Sequence, residues 1–181
     1  MGELFVHEFM SLDGVIEAPS WTAEFGFVPE MGEAIGAMMA GADAILLGRT
    51  TYEMFAPAWS TRTAADDPGA PFFNDTHKYV VSSSLSEVSW GPGTVMPYDA
   101  AAISSLKRRS SKVYTSGSAT LVRALIADGL VDELHLFTYP IALGGGLRLF
   151  PDGHPPTKLS LMAVTRFGNG VAHLVYGPPE V

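Results

Sequence analysis

Short apolar runs separated by polar and turn-forming stretches recur along this chain, and they predict a series of strands. The runs are rich in Val, Leu, Ile and aromatic residues, as is typical of strands buried in a sheet. Six such runs lie at residues 4–10, 44–47, 78–82, 94–96, 112–115 and 133–138.

Between these runs, apolar residues recur at three- and four-residue spacing, as they do on one face of a helix. Thr50 with Glu53 three residues later fits a capping box, so a helix is expected to open at Thr50. Ser116 or Ser118 is expected to cap the last helix, and Gly129 to end it. The other two predicted helices cover residues 30–41 and 99–108.

The last part of the chain changes its pattern and predicts antiparallel strands. Residues 158–167 and 171–176 flank Gly168-Asn169-Gly170, which is typical of a β-hairpin. Residues 66–71, rich in Pro, Asp and Gly, are expected to form a loop. Strands that alternate with helices predict an α/β fold with three α/β/α layers: a mostly parallel central sheet with an antiparallel C-terminal hairpin. We expect a single domain over residues 1–181.

Composition and charge exclude several classes of protein. The chain is 47% hydrophobic, with no cysteine, which excludes a disulfide scaffold and a thiol nucleophile. Its net charge is −8, and residues 1–48 hold eight acids and no Lys or Arg. We therefore expect no nucleic-acid partner. The five histidines show no metal-ligand spacing, and no apolar run is long enough to cross a membrane. The start of the chain lacks a signal-peptide pattern, so we expect a soluble, cytoplasmic protein.

Small and polar residues follow three of the predicted strands. They are Gly48-Arg49-Thr50, Ser82-Ser83-Ser84 and the run from Ser116 to Thr120. Parallel strands end at one edge of a sheet, where free helix N–H groups stabilise a phosphate. Each of the three could instead only end a strand or cap a helix. Together they favour a bound nucleotide.

Several sequence elements resemble the dihydrofolate reductase superfamily. They are SLDGVI at residues 11–16, LLGRTTYE at 46–53, YVVSS at 79–83 and SGS at 116–118. YPIALGGG at residues 139–146 is similar to one branch, which includes the C-terminal reductase domain of the bifunctional riboflavin-biosynthesis deaminase-reductases and stand-alone relatives. The resemblance spans nearly the whole chain and implies a dihydrofolate reductase-like fold that binds NADPH along the sheet edge.

By position in that family, four groups of residues would bind the cofactor. Gly48, Arg49 and Thr50 would meet its 2′-phosphate and pyrophosphate side, and Arg49 would select NADPH over NADH. The remaining cofactor residues would be Ser82 and Ser83 at the adenine ribose, Ser116, Gly117, Ser118, Ala119 and Thr120 at the pyrophosphate, and Gly14 and Ile16 near the nicotinamide. Trp21, Gly144 and Gly145 would contact the substrate.

The resemblance also implies a catalytic carboxylate on the helix before the second central strand, for which Glu30 is the best match. Glu30 could instead only complement the helix dipole. Asp13, near the nicotinamide, is the other candidate. The expected function is NADPH-dependent reduction of a planar N-heterocycle, as in 5-amino-6-(5-phosphoribosylamino)uracil reductase.

Alternatives are a dihydrofolate reductase and a non-catalytic nucleotide-binding protein. Riboflavin-pathway reductases usually carry a basic residue after SLDG, where this chain has Val15, Ile16 and Glu17. The acidic N-terminal region is also a poor receptor for a ribosyl phosphate unless a later cation reaches it. Members of the family often pair, so we expect a homodimer.

Overall fold

The computed structural model describes residues 2–180, and eight strands and five α-helices make up most of them. The strands are β1 (Glu3–Ser11), β2 (Ala44–Gly48), β3 (His77–Val81), β4 (Gly93–Met96), β5 (Lys112–Ser116), β6 (Glu133–Tyr139), β7 (Ser160–Arg166) and β8 (Ala172–Gly177). The helices are α1 (Pro29–Met39), α2 (Arg49–Trp59), α3 (Ala70–Asp75), α4 (Ala100–Arg109) and α5 (Ala119–Ala127). All predicted strands are confirmed to within two residues at each end.

The eight strands form one sheet in the order β4-β3-β2-β5-β1-β6-β8-β7. Strands β1 to β6 are parallel, whereas β8 runs antiparallel to both β6 and β7. The predicted fold class, a mostly parallel sheet finished by an antiparallel hairpin, is confirmed. That residues 1–181 form a single domain stays a prediction.

Helices cover both faces of the sheet, each over its own apolar cluster. On one face, α4 and α5 contribute Ile103 and Leu125 to a cluster with Leu4 and Val6 of β1. On the other face, α1, α2 and α3 contribute Met31, Tyr52 and Phe73. Burial of these side chains stabilises the three layers by roughly 1.5–3 kcal/mol per large apolar residue.

Of the predicted helix caps, Gly129 ends α5 as expected, but the two N-terminal caps differ from the prediction. Helix α2 begins at Arg49 with Gly48 as its N-cap, so Thr50 lies inside the first turn and Glu53 pairs with Arg49 instead. Ser118 is the N-cap position of α5, but its side chain makes no capping hydrogen bond. Strand β2 runs directly into α2, whereas Gly117 and Ser118, both with positive φ, connect β5 to α5. The first N–H groups of both helices have no side-chain cap.

Two short helical segments were not predicted from the pattern. A 3₁₀ helix covers Pro19–Phe25 and carries Trp21, and α3 begins inside the stretch expected to be a loop. Both start at or next to a proline, which is compatible with a first helical turn.

Strand β7 forms one edge of the sheet and leaves apolar side chains in solvent. Leu161, Met162 and Val164 are 54%, 57% and 60% exposed. Exposed apolar edge strands favour pairing with another chain. Among residues 2–180, no helix is both long enough and apolar enough to span a membrane.

Candidate functional site

The carboxyl ends of β2 and β5 lie side by side, because these two parallel strands are neighbours in the sheet. The helices that follow them leave on opposite faces: α2 packs into the cluster of Tyr52, and α5 into the cluster of Leu121. A crevice therefore opens between the N-termini of α2 and α5. Open α/β sheets bind ligands at such a place.

Four residues, Gly48, Thr51, Gly117 and Ser118, join these two N-termini, and we call them the α2–α5 junction. Ser118 Oγ accepts a hydrogen bond from the Gly48 backbone N–H at 2.9 Å and bonds to Thr51 Oγ1 at 2.6 Å. A Cβ on Gly117 would lie 2.8 Å from Thr51 Oγ1, and its φ of +66° favours glycine. A Cβ on Gly48 would collide with Ser118 Oγ. Both glycines are therefore required for this close approach.

The junction presents the positive ends of two helices. Within the described range 2–180, neither α2 nor α5 has an acidic residue in its first turn or a side-chain cap. The first N–H groups of a helix lack partners inside the helix and carry partial positive charge. Two such ends side by side favour an anion of the size of a pyrophosphate.

Arg49 adds a full positive charge beside the junction. Its Nη1 donates a hydrogen bond to Ser84 Oγ at 2.6 Å, and its Nε pairs with Glu53 Oε1 at 3.1 Å. The side chain thereby bridges the end of β2 and the loop after β3. Because the guanidinium is half exposed, it is available to a phosphate monoester on a ligand.

A cavity of about 1050 Å³ extends from the junction across the ends of β1 and β5. This volume is at the upper end of the range for small-molecule sites. On the side of α1, α2 and α3, the cavity wall is apolar and largely aromatic. Arg62 is a second cation in this wall, besides Arg49. The apolar side chains there are Phe27, Ile35, Met39, Phe55, Trp59 and Phe73.

The structure brings nine of the predicted cofactor residues together around this cavity. They are Ile16, Gly48, Arg49, Thr50, Ser116, Gly117, Ser118, Ala119 and Thr120. Their roles toward NADPH stay predictions, but their shared location agrees with a single binding site.

The other predicted site residues lie outside the cavity wall. Ser82 Oγ accepts hydrogen bonds from the Ser84 and Leu85 backbone N–H groups, so its hydroxyl orders its own loop. Trp21 packs edge-on against Tyr139. The remaining residues of this group are Gly14, Ser83, Gly144 and Gly145, all at the surface or in partly exposed loops.

Asp13 joins two loops rather than facing the cavity. Its carboxylate accepts hydrogen bonds from Ser11 Oγ at 2.7 Å and from the backbone N–H groups of Leu143 and Gly144 at 3.0 and 2.8 Å. The Ser11 bond, followed by the two backbone bonds, lowers the pKa of Asp13 to about 2. Asp13 is therefore ionised at neutral pH, and its contacts are those of a loop anchor. Its catalytic role stays a prediction.

The buried carboxyl in the cavity wall is Glu8, one of the eight acids of residues 1–48 and not one of the predicted site residues. Glu30, the predicted catalytic acid, is exposed in the first turn of α1 and does not line the cavity. Glu8 is only 3% exposed, and burial raises its pKa to about 8. An acid next to a histidine in the middle of a mostly apolar strand run is the signal that could have identified it.

His7, beside Glu8 on β1, is the second cavity residue that the pattern did not single out. Its Nδ1 lies 2.8 Å from Tyr114 Oη, and its Nε2 is buried with no partner among the described residues. Burial, aided by the charges of His135 and His173, lowers the pKa of His7 to about 3. The imidazole is therefore neutral at physiological pH.

Comparison with known proteins identifies relatives of this chain. The family model of the RibD C-terminal domain matches residues 3–173. The uncharacterized protein YyaP of Bacillus subtilis (strain 168) is 27% identical over 172 residues, which cover 92% of this chain and 90% of that protein. The resemblance inferred from the sequence motifs is confirmed.

Two solved structures share the fold. A putative riboflavin biosynthesis protein from Shewanella sp. PV-4 superposes with a TM-score of 0.78 at 19% identity, and 99% of this chain and 100% of that one are covered. The diaminohydroxyphosphoribosylaminopyrimidine deaminase/5-amino-6-(5-phosphoribosylamino)uracil reductase of Thermotoga maritima gives 0.66 at 14% identity. That alignment covers 98% of this chain but 57% of the Thermotoga chain.

Removing the hydroxyl that closes the junction should destabilise the protein. In Ser118→Ala the buried Gly48 N–H loses its acceptor, so we expect the free energy of unfolding to fall by about 1–2 kcal/mol. Chemical denaturation measures this change. Ser86→Ala, in an exposed loop, is the control and should change stability by less than about 0.5 kcal/mol. Equal stability of the two variants would show that the junction bonds contribute nothing.

Proposed function

Because the chain belongs to the RibD C-terminal domain family, we propose that it is an NADPH-dependent reductase of a planar nitrogen heterocycle. The family is associated with pyrimidine reductase activity, which supports a reductase. The observation that carries the proposal is the α2–α5 junction, where two uncapped helix N-termini and Arg49 surround one end of a large cavity.

The residues at the junction fit a dinucleotide phosphate. Gly48 and Gly117 let the two helix N-termini approach each other closely, so the first-turn N–H groups of both helices can face one anion. Arg49 would pair with the 2′-phosphate that distinguishes NADPH from NADH. When bound, NADPH supplies a hydride. The protein residues position the acceptor and exclude water.

The apolar part of the cavity supports a flat aromatic substrate. Trp59 and Phe73 stack at 4.3 Å between ring centroids, and both line the cavity. Aromatic faces of this kind pack well against planar heterocycles. Arg62, whose guanidinium lies 4.9 Å from the Trp59 ring centroid, is a later cation at the same wall. A substrate with an anionic substituent, such as an aminouracil ribosyl phosphate, therefore fits this wall.

A homodimer also stays a prediction. The exposed apolar side chains of the edge strand β7, Leu161, Met162 and Val164, are the surface we propose for it.

Coenzyme titration followed by a substrate panel tests the function. We expect NADPH to quench protein fluorescence and raise the melting temperature, and to be oxidised with one class of aminouracil, pterin or flavin precursor. Turnover of dihydrofolate, blocked by antifolates, would instead identify a dihydrofolate reductase. Tight NADPH binding with no turnover across the panel would favour the non-catalytic nucleotide-binding protein. Absence of coenzyme binding would contradict the proposal.

Replacing Arg49 tests the choice between coenzymes. Arg49→Ala should weaken NADPH binding about tenfold or more and leave NADH binding nearly unchanged, because a charge-assisted hydrogen bond contributes roughly 1.5–3 kcal/mol. Dissociation constants for both coenzymes measure the preference. Arg108→Ala, on the exposed side of α4, serves as the matched control. If Arg49→Ala still prefers NADPH to NADH, another residue determines the choice of coenzyme.

A further inference from the structure

Glu8 is an acid in a position that an apolar residue would fill more easily. It lies in the middle of β1, opposite Leu136 of β6 in the strand register, and is 3% exposed. Period-two alternation places it on the same side of the sheet as Leu4 and Val6. Its Oε1 is fully buried, with no hydrogen-bond partner among residues 2–180.

Two other acids line the cavity, and each already has a partner. Glu17 Oε2 accepts a hydrogen bond from the Leu147 backbone N–H at 3.0 Å. Asp67 Oδ1 accepts one from the Gly69 backbone N–H at 2.8 Å. Glu8 differs from both because it is buried and its Oε1 has no partner among the described residues. Such a group is unfavourable in the free protein unless a bound molecule completes its hydrogen bonds.

We propose that Glu8 is a ligand-recognition residue, whose protonated carboxyl donates a hydrogen bond to a carbonyl oxygen of the heterocycle held in the cavity. This inference rests on the proposed function for the class of ligand. It adds a named residue and a named chemical group to that function. An amide-type carbonyl accepts from a neutral acid, whereas a carboxylate would repel it.

The surroundings of Glu8 keep its proton in place. Burial alone raises the pKa of Glu8 to about 8, so the carboxyl is neutral in the physiological range. Tyr114 is also neutral, since burial and the nearby Glu8 raise its pKa. The titratable and charged groups facing the same space are His7 on β1, Tyr114 on β5, Glu17 in the loop after β1, Arg49 on α2, Arg62 after α2, Asp67 before α3 and Tyr98 before α4. From α5, the cavity receives the apolar Leu121 and Ala124.

Two molecules could supply the carbonyl: the carboxamide of the nicotinamide coenzyme, or a ring carbonyl of an oxidised substrate. Both offer the same acceptor to the same donor. They differ in whether the effect of Glu8 is measured in the coenzyme dissociation constant or in substrate turnover at saturating coenzyme.

Wild-type protein and two Glu8 variants separate the role of the carboxyl proton from that of the side-chain volume. Glu8→Gln keeps an N–H donor that does not titrate, and Glu8→Leu keeps the volume without a donor. NADPH dissociation constants, and kcat/KM for the substrate that the panel identifies, are measured from pH 6 to 9.5. Glu33→Gln, exposed on α1, is the control for loss of an acid elsewhere.

In whichever measurement depends on Glu8, coenzyme affinity or substrate kcat/KM, the wild-type value should fall by up to tenfold for each pH unit above about 8. Glu8→Gln should stay within about threefold of wild type at pH 7 and lose this alkaline dependence. Glu8→Leu should be about tenfold weaker than wild type at pH 7 and should not change with pH. An effect confined to the coenzyme arm identifies the carboxamide, and one confined to turnover identifies the substrate carbonyl.

Thermal denaturation tests the protonation of Glu8 in the absence of any ligand. In the folded protein the pKa of Glu8 is about 8, whereas in the unfolded chain it takes the ordinary value of 4.5 for a glutamic acid. Wild-type stability should therefore fall relative to Glu8→Gln as the pH rises from 5 to 8. If Glu8→Leu does not fold, the comparison of wild type with Glu8→Gln, in this assay and in the binding and turnover measurements, still tests the proposal.

The outcomes distinguish failure of this inference from failure of the proposed function. If NADPH binds and is turned over, but both Glu8 variants match wild type at every pH, only the role of Glu8 is overturned. A melting-temperature difference between wild type and Glu8→Gln that does not change with pH would also overturn it. If wild-type protein binds no nicotinamide coenzyme, the proposed function and the inference built on it both fail.

Discussion

The close approach of α2 and α5 is the constraint on which the site depends. Strands β2 and β5 are parallel neighbours, and Ser118 Oγ bonds to both Gly48 and Thr51 across the gap between their ends. The bonds leave room for no Cβ at Gly48 or Gly117. They hold two helix N-termini in one place without neutralising them. The positive potential there is thus a product of backbone geometry, and Arg49 adds a side-chain charge to it.

The cavity that begins at this junction has two chemically different parts. Near the helix N-termini it is polar and suited to phosphate, and along α1, α2 and α3 it is apolar and suited to a flat ring. Between them, β1 contributes a buried neutral histidine and a buried acid. A reductase needs this combination, because the coenzyme and the acceptor must meet where water is excluded. An acidic N-terminal region is compatible with the proposed anionic coenzyme, because the cationic groups of the cavity, Arg49 and Arg62, come from later elements.

Much of the fold could be predicted from the sequence, because hydrophobic period and turn residues report local structure directly. Residues 44–47 are apolar at every position, which is typical of a central strand of a parallel sheet, and all four are buried. The cavity residues Gly48-Arg49-Thr50 and Ser116 to Thr120 could also be predicted, because they directly follow strands. The two N-terminal caps differ from the prediction because Thr50 and Ser118 have the right residue type, while tertiary contacts across the junction decide what their backbones and hydroxyls do. The sequence could not distinguish Glu8, which is buried, from Glu30, which is exposed, because the burial of a strand residue depends on strands that are distant in sequence.

Amide chemical shifts measured while ¹⁵N-labelled protein is titrated with NADP⁺ test the central claim most directly. We predict that the largest changes occur at the amides of residues 48–51 and 117–121, on both sides of the Ser118 hydrogen bonds. Changes confined to one of the two helix N-termini, or centred on another surface, would contradict the account of a shared anion site.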